Sequence, residues 1–421
     1  MAVTTAQLDG WFKRVYADTL SNAVPSYAIL QKEIPFKRTD KIGDSYRFPV
    51  KLTRSHGMTW AGGATAGTAF ALNNPISMVT KEANVSGSEF VLRETISYGA
   101  ISRSGTGNDE SFGAVLDEVP LEMAESSRFY LEMALLYGGS SIGTINADPG
   151  GGGAATRDIV ISEATWAPGL WAQMVGAEID ILSAVGGTLR TNSATPCLVT
   201  AVTASTRTVS LSGDGGDLDD IAANDIVVPV GADANWFSGV DAITTNTGTL
   251  FGISASTYNL WKSSTFSAGT APLTMSKVQN AVSQAVCNGG LMEKVGVYLS
   301  TFSWTDLNND LASLRRYAES TKSGLDIGTQ KITFYGASGE LELVPHPMVK
   351  AGEAFVLPVK RFKRIGSSDV TFQLPDMPQG QFFRHLADSA GIELRSYFDQ
   401  GLVCTTPAKC VKITAIDNAS L

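Results

Sequence analysis

The chain is short of charge. Only 17% of its 421 residues are Asp, Glu, Lys or Arg, against about 25% in an ordinary soluble domain. Acidic residues outnumber basic ones by 41 to 32, which gives a formal net charge of -9. This balance argues against a nucleic-acid-binding protein, because such proteins carry a basic surface. A large chain with so little surface charge is weakly protected from self-association, so extensive contacts between subunits are expected.

Cysteine, histidine and long apolar runs are also scarce. The four cysteines form no CxxC motif, so they provide neither a disulfide framework nor a paired set of zinc ligands. The three histidines show no HExxH spacing, and we expect no metal, no cofactor and no catalytic residues. No apolar run approaches the roughly 18 residues that cross a bilayer, and the opening residues MAVTTAQLDGWFKR lack the signal-peptide pattern. We therefore expect a chain that folds in a reducing cytoplasm without membrane contact.

Three short motifs have a chemical interpretation and a plainer one that we favour. Residues 139–143 match the GxSxG pattern of hydrolases, but a helix is predicted before the serine, where a nucleophile elbow needs a strand; a helix-ending turn is favoured. The stretch GDGGDLDD at 213–220 has oxygen ligands for calcium but no EF-hand glutamate, so a solvated loop is favoured. The stretch KRFKR at 360–364 suggests contact with DNA or an acidic neighbour, although charge runs usually face water.

A two-residue period marks a strand in SYRFPVKLTR. Its apolar residues Tyr46, Phe48, Val50 and Leu52 alternate with polar residues or proline, which predicts a strand with one apolar face. The stretch GMTWAGGATAGTA follows, and a second β-rich run returns from Ile76 to ISYGAISRS. We expect a long two-stranded ribbon, which is marginally stable by itself. Its apolar face should lie against another subunit, so these four residues are the candidate inter-subunit contacts.

Helical and short β patterns occupy the rest of the chain. The stretch DESFGAVLDEVPLEMAESSRFYLEMALLYGG has apolar residues every three or four positions and predicts a helix of about 30 residues. A shorter amphipathic helix is predicted around Leu8 and Trp11. Residues 176–232 contain several short β segments and predict an inserted barrel or sandwich. Such an insertion should be removable without unfolding the surrounding subunit.

The order of these elements resembles the major capsid proteins of tailed bacteriophages with the Hong Kong 97-type fold. The likeness is carried by FVLRETISYGAISRS, GLWAQMVGAEIDIL, WFSGVDAITTNTGTLFGISASTYNLWKS and the closing LVCTTPAKCVKITAI. The resemblance implies an α+β fold of six parts. They are an N-terminal arm (1–42), an extended loop or E-loop (43–106), a spine helix with part of the peripheral or P-domain (107–175), the inserted β-rich module (176–232), an axial or A-domain (233–372) and a C-terminal return of the P-domain (373–421).

The resemblance also implies a structural protein that assembles with itself and is not an enzyme. Copies of the chain would form pentamers and hexamers, which would build the icosahedral head shell of the virion in the host cytoplasm. The shell would enclose packaged double-stranded DNA and bind it non-specifically. A separate scaffolding protein, a portal and decoration proteins are further implied partners. Two alternatives remain open: another shell or tail assembly protein, and a β-rich secreted hydrolase.

Overall fold

The structure is a computed structural model of the chain. It describes residues 27–37, 43, 45–62, 69–103, 115–150, 155–190, 196–213, 218–310, 332–373 and 382–418. The helix predicted around Leu8 and Trp11 lies outside these residues. The described α-helices are α1 (Ile29–Glu33), α2 (Tyr98–Arg103), α3 (Val115–Tyr137), α4 (Pro168–Trp171), α5 (Val240–Ile243), α6 (Met275–Gly289) and α7 (Thr301–Asn309).

Most of the described strands are short. The strands are β1 (Tyr46–Lys51), β2 (Thr80–Val85), β3 (Ser88–Ser97), β4 (Gly143–Thr144), β5 (Thr156–Val160), β6 (Glu178–Leu182), β7 (Cys197–Thr203), β8 (Thr208–Ser212), β9 (Ile226–Pro229), β10 (Thr249–Leu250), β11 (Ile253–Ser254), β12 (Ser264–Ala271), β13 (Val295–Leu299), β14 (Ile332–Gly336), β15 (Gly339–Pro345), β16 (Ala354–Leu357), β17 (Phe362–Thr371), β18 (Arg384–His385), β19 (Gly391–Cys404) and β20 (Val411–Ile416). Of these, β3, β17 and β19 have 10, 10 and 14 residues.

Backbone contacts divide the chain into two compact units. The first comprises Met1–Ser26, Val91–Ser127 and Val370–Tyr397, and the second Tyr27–Phe90, Arg128–Asp369 and Phe398–Leu421. Within the first unit, β18 pairs antiparallel with β19. The buried carboxylate of Glu393 accepts hydrogen bonds from the guanidinium groups of Arg93 and Arg395, so this small unit contains a compensated charge cluster.

A mixed sheet forms the main core of the second unit. Its six described strands have the order β12–β20–β16–β13–β15–β14, with β12 parallel to β20 and β13 parallel to β15. The apolar side of α6 packs on it, with Val278, Ala281, Val282 and Ala285 in one buried cluster with the strand residues. The final strand β20 lies between β12 and β16. The sequence analysis placed this strand with the C-terminal return at 373–421, whereas its pairing partners belong to the range 233–372.

The β-rich part of the second unit that follows α3 is a closed barrel. Its six described strands have the order β4–β9–β6–β7–β8–β5, and an antiparallel bridge between Ile145 and Ile161 joins the first strand in this order to the last. Closure leaves no unpaired edge. The inward-facing side chains are fully buried, among them Ile159, Ile179, Val199, Val209, Leu211 and Val227. The barrel thus starts at β4, before the predicted range 176–232, which contains only β6 to β9.

A buried carboxylate fixes the chain segment that precedes the ribbon. Glu132 on α3 is fully buried, and its Oε1 accepts from the backbone N–H of Leu30 at 2.6 Å while its Oε2 accepts from that of Gln31 at 3.2 Å. The Nε2 of His346 lies 2.9 Å from the same Oε1, and its Nδ1 accepts from the N–H of Met348. His346 is therefore a neutral ring that donates through Nε2. The three donors compensate the buried charge.

The other end of α1 is held by a buried cation. Arg364 donates to the carbonyl oxygens of Gln31 and Ile34 at 3.4 and 3.5 Å. Its positive charge is the sign that a helix C-terminus favours. The hydroxyl of Tyr298 donates to the carboxylate of Glu33. Burial, and then the charge of Glu33, raises the pKa of Tyr298 well above its usual value, so this phenol stays protonated and donating. Residues 27–37 are consequently anchored at both ends of α1.

Replacing Glu132 is expected to weaken the second unit. Glu132→Ala leaves three buried donors without an acceptor and should lower the free energy of unfolding by about 3 kcal/mol or more. Glu132→Gln keeps one acceptor oxygen and should cost less. Chemical denaturation of both variants measures the difference. The matched control is Glu122→Ala, an exposed site on the same helix, expected within about 0.5 kcal/mol of wild type; equal losses at both sites would contradict the proposed role of the buried carboxylate.

Deleting 176–232 is expected to prevent folding, contrary to the expectation from the sequence. The deletion removes β6 to β9 and leaves β4 and β5 without partners, so their buried faces and backbone groups are exposed. Soluble yield and far-ultraviolet circular dichroism measure the outcome. As a control, changing the exposed turn residues Ala204, Ser205 and Thr206 to glycine should leave the barrel folded. A soluble, cooperatively unfolding deletion protein would show that β4 and β5 fold independently of the other four strands.

Candidate assembly surface

The predicted two-stranded ribbon is confirmed in part. β1 and β2 pair antiparallel from Tyr46 opposite Val85 to Lys51 opposite Thr80. Beyond the strands the two segments stay close, since the N–H of Leu52 donates to Val79 and that of His56 to Ile76. The second part of the returning β-rich run is not in the ribbon: β3, which follows β2 after Ser86 and Gly87, pairs with β19.

The base of the ribbon packs on its own subunit. Tyr46, Phe48 and Val50 are half-buried and Leu52 is buried, and the ring of Phe48 lies 6.3 Å from that of Trp261. The face predicted to lie against another subunit thus also contacts its own chain through Phe48 and Trp261. The sequence period identified the apolar face, but it carries no information about the 250–261 segment that covers it. Whether the four residues also contact another subunit stays a prediction.

The exposed part of the ribbon is its distal end. Large apolar side chains there face solvent: Met58, Trp60, Phe70, Leu72, Ile76 and Met78. Trp60 and Leu72 are 88% and 78% exposed. A soluble monomer rarely clusters apolar side chains on its surface unless the surface binds something. We call these six residues the tip patch; the sequence analysis missed it because the small residues around them masked its apolar content.

The backbone of the distal end is built for close pairing. A Cβ on Gly57 would lie 2.8 Å from the Cα of Pro75, so glycine permits the two segments to approach. The side chain of Asn73 donates to the carbonyl of Met58 at 2.9 Å, and its N–H donates to the hydroxyl of Thr59 at 2.8 Å. These bonds hold the tip patch at the end of an extended structure rather than against a core.

The ribbon also has a charge opposite to that of the chain. Residues 46–85 contain four basic side chains and one acidic side chain, a formal charge of +3 within a chain of -9. The remaining residues therefore carry -12. Of these five charged groups, Arg47 and Glu82 form an exposed ion pair at 3.6 Å, which contributes little to stability. A basic ribbon is thus complementary to the acidic remainder of another copy.

Of the three motifs, GxSxG takes its plainer role, whereas the described parts of the two charged stretches form ion pairs within the chain. The hydroxyl of Ser140 donates to the carbonyl of Tyr137 at 3.0 Å, and Gly139 has a φ of 70°, so GxSxG is the turn that ends α3. In the acidic stretch, Asp219 pairs with Arg157, while Asp214 and Asp217 lie outside the described residues. In the basic stretch, Arg364 is buried at α1 and Arg361 pairs with Glu293 at 2.8 Å.

Half-buried charges elsewhere in the second unit pair with each other. The Nζ of Lys412 lies 2.9 Å from the carboxylate of Glu353 and also binds Asp241. Burial disfavours the charged amine, but the two carboxylates outweigh it and raise the pKa of Lys412 above its usual value. The Nζ of Lys350 lies over the ring of Tyr137 at 4.3 Å. This cluster is compensated internally and stabilises the fold.

Among the described residues, no three His, Cys, Asp or Glu side chains are grouped so as to bind a metal ion. No helix in the described part of the chain is both long and apolar enough to cross a membrane.

Comparison with known proteins identifies the fold. No family model and no curated protein matches the sequence. A solved chain of the cyanophage A-1(L) capsid asymmetric unit is similar over 99% of this chain and 100% of its own, with a TM-score of 0.55 and 13% identity. A chain from the capsid of the empty GTA particle is similar over 98% of this chain and 99% of its own, with a TM-score of 0.52 and 10% identity. The predicted likeness to phage capsid proteins is confirmed at the level of the fold, and this chain has the fold of these two capsid chains.

Proposed function

We propose that the chain is the major capsid protein of a tailed bacteriophage or a related particle. Its copies assemble through pentamers and hexamers into an icosahedral shell around double-stranded DNA, and its role is structural rather than catalytic. The observation that carries the proposal is the fold shared with two capsid chains over almost the whole length of both partners. Full-length coverage matters because a shared subdomain would leave the function of the remainder open.

Within this proposal, the ribbon is the E-loop and α3 is the spine helix. The ribbon laps over a neighbouring copy through the tip patch, where apolar side chains are exposed in the single subunit. Its charge of +3 against the acidic remainder of the chain favours another copy of the chain as the partner. Such head-to-tail contacts use two different surfaces and close into rings of five or six. The proposed further partners of the shell are a scaffolding protein, a portal and decoration proteins.

Negative-stain electron microscopy of the purified chain, expressed alone and with phage scaffolding candidates, tests the proposal. Closed shells, rings of five or six, or polyhedral aggregates are the expected result. A chain that stays monomeric under all these conditions and hydrolyses esters would contradict it, and would return the β-rich hydrolase to consideration.

Replacing the tip patch should block assembly and spare the fold. In Trp60→Ser/Leu72→Ser the apolar contact with a neighbour is lost, and each buried side chain of this size is worth about 1.5–3 kcal/mol. The protein concentration for half-maximal assembly should rise at least tenfold, because about 1.4 kcal/mol corresponds to that factor. Light scattering and sedimentation velocity measure assembly, while the melting temperature of the unassembled subunit should stay within about 1 °C of wild type.

The matched control is Met292→Ser/Tyr335→Ser. These side chains are 72% and 76% exposed and are not part of the ribbon, so a comparable loss of exposed apolar surface should leave assembly unchanged. Equal effects of the two double variants would indicate general surface hydrophobicity and not a specific contact.

Phe48→Asp separates the two roles of the ribbon face. Because Phe48 contacts Trp261 within the subunit, a charge there should lower the free energy of unfolding of the unassembled subunit by about 1–3 kcal/mol. Lys51→Asp, at an exposed position of the same strand, is the control and should be nearly neutral. Thermal unfolding of the unassembled chains compares them. A fully stable Phe48→Asp subunit that fails to assemble would instead make the face a purely inter-subunit contact.

A further inference from the structure

Two thiols lie side by side in the turn between β19 and β20. The Sγ atoms of Cys404 and Cys410 are 3.9 Å apart, and both side chains are fully buried. Cys197 is buried in the barrel strand β7, and Cys287 is exposed on α6. We propose that Cys404 and Cys410 are a redox-active pair that closes to an intramolecular disulfide in the folded chain under oxidising conditions. This inference does not depend on the proposed function.

The backbone around the pair is held in place by its neighbours. The N–H of Cys410 donates to the carbonyl of Pro407 at 2.9 Å, and the Nζ of Lys409 lies 2.9 Å from the carboxylate of Glu293. On the side of α6, a Cβ on Gly289 would lie 2.3 Å from the carbonyl oxygen of Ala408, so helix and turn are in close contact. The turn therefore presents the two sulfurs to each other without rearrangement of the chain.

Bond formation needs only a small displacement. A disulfide has a sulfur–sulfur distance of about 2.05 Å, so each sulfur of the pair, now at 3.9 Å, has to move by roughly 1 Å. Rotation of the two side chains about their Cα–Cβ bonds supplies movements of this size. Engineered disulfides often stabilise less than expected because the backbone must distort, and a sulfur–sulfur distance of 3.9 Å leaves only a small displacement to make.

The reaction is thiol–disulfide exchange with a small-molecule disulfide such as oxidised glutathione. The thiolate of one cysteine attacks the small disulfide, forms a mixed disulfide and releases one small thiolate. The thiolate of the other cysteine then attacks the protein sulfur of that mixed disulfide, which forms the Cys404–Cys410 bond and releases the second small thiolate. The pair loses two electrons, the small disulfide gains them, and the two cysteine protons end on the released thiols.

Two features make this exchange slow near neutral pH: the full burial of both thiols, which limits access of the small disulfide, and a raised thiol pKa. The hydrogen bond with Cys404 and burial raise the pKa of the Cys410 thiol well above its usual value, and the charge of Glu293 adds to the effect. Charged groups near the pair are Glu293, Arg361 and Lys409, and the carboxylate of Glu293 pairs with both cations. Because the thiolate is the attacking species, the pair should stay reduced in a reducing cytoplasm and close faster as the pH is raised.

Peptide mapping of the folded full-length chain tests the proposal. The chain is incubated with oxidised glutathione at about pH 8.5, its free thiols are alkylated in denaturant, and it is digested with trypsin without reduction. Cleavage after Arg395, Lys409 and Lys412 separates the two cysteines into the peptides SYFDQGLVCTTPAK and CVK. Mass spectrometry should find them joined, while the exposed Cys287 carries glutathione and serves as the internal control for oxidant activity.

The Cys404→Ser and Cys410→Ser variants should give no joined peptide, which confirms the assignment of the mass. Alkylated Cys404 and Cys410 in oxidised wild-type protein, with Cys287 glutathionylated, would overturn the proposal. So would joined peptides that form only when the chain is unfolded in urea before oxidation, because the folded geometry would then play no part. Since wild-type protein decides both outcomes, a folding defect in a serine variant does not affect the test.

Discussion

The buried carboxylate of Glu132 is the interaction on which the arrangement of the second unit depends. It joins α3 to the N–H groups of α1, about a hundred residues earlier, and to His346, 214 residues later. A carboxylate removed from water is costly unless donors surround it. The buried charge is therefore stable only while residues 27–37 and the turn after β15 pack against α3. Arg364 holds the other end of α1 through the carbonyl oxygens of Gln31 and Ile34.

Sequence patterns predicted those helices and strands that are determined by neighbouring residues in the chain. The alternation in β1 and the helix ending at Tyr137 with a glycine turn were readable because period and turn chemistry lie within a few residues. Nothing local marks β4, a two-residue strand that closes the barrel through one bridge. Likewise, nothing in the sequence distinguishes the buried Glu132 from the other acidic residues of the same helix. The sequence therefore predicted the fold class and the ribbon, but not the barrel's boundary, the buried charges or the tip patch.

The ribbon combines two surfaces with opposite requirements. At its base, Phe48 and Leu52 are covered by the same subunit, which fixes the direction in which the ribbon leaves the core. At its end, hydrogen bonds from Asn73 hold an apolar patch in solvent. A two-stranded ribbon gains little from its own pairing. Anchoring the base is therefore what allows the end to remain extended without collapsing onto the core, and so available for the proposed contact with another copy.

Modest contacts suit the proposed assembly better than one strong contact. A tip patch of a few apolar side chains supplies only several kcal/mol per neighbour, so a misplaced subunit can leave again. Once a ring closes, each subunit is held on two sides, and the second contact forms within the same assembly, where the effective concentration is high. Such contacts depend on where the apolar atoms lie more than on which residues supply them.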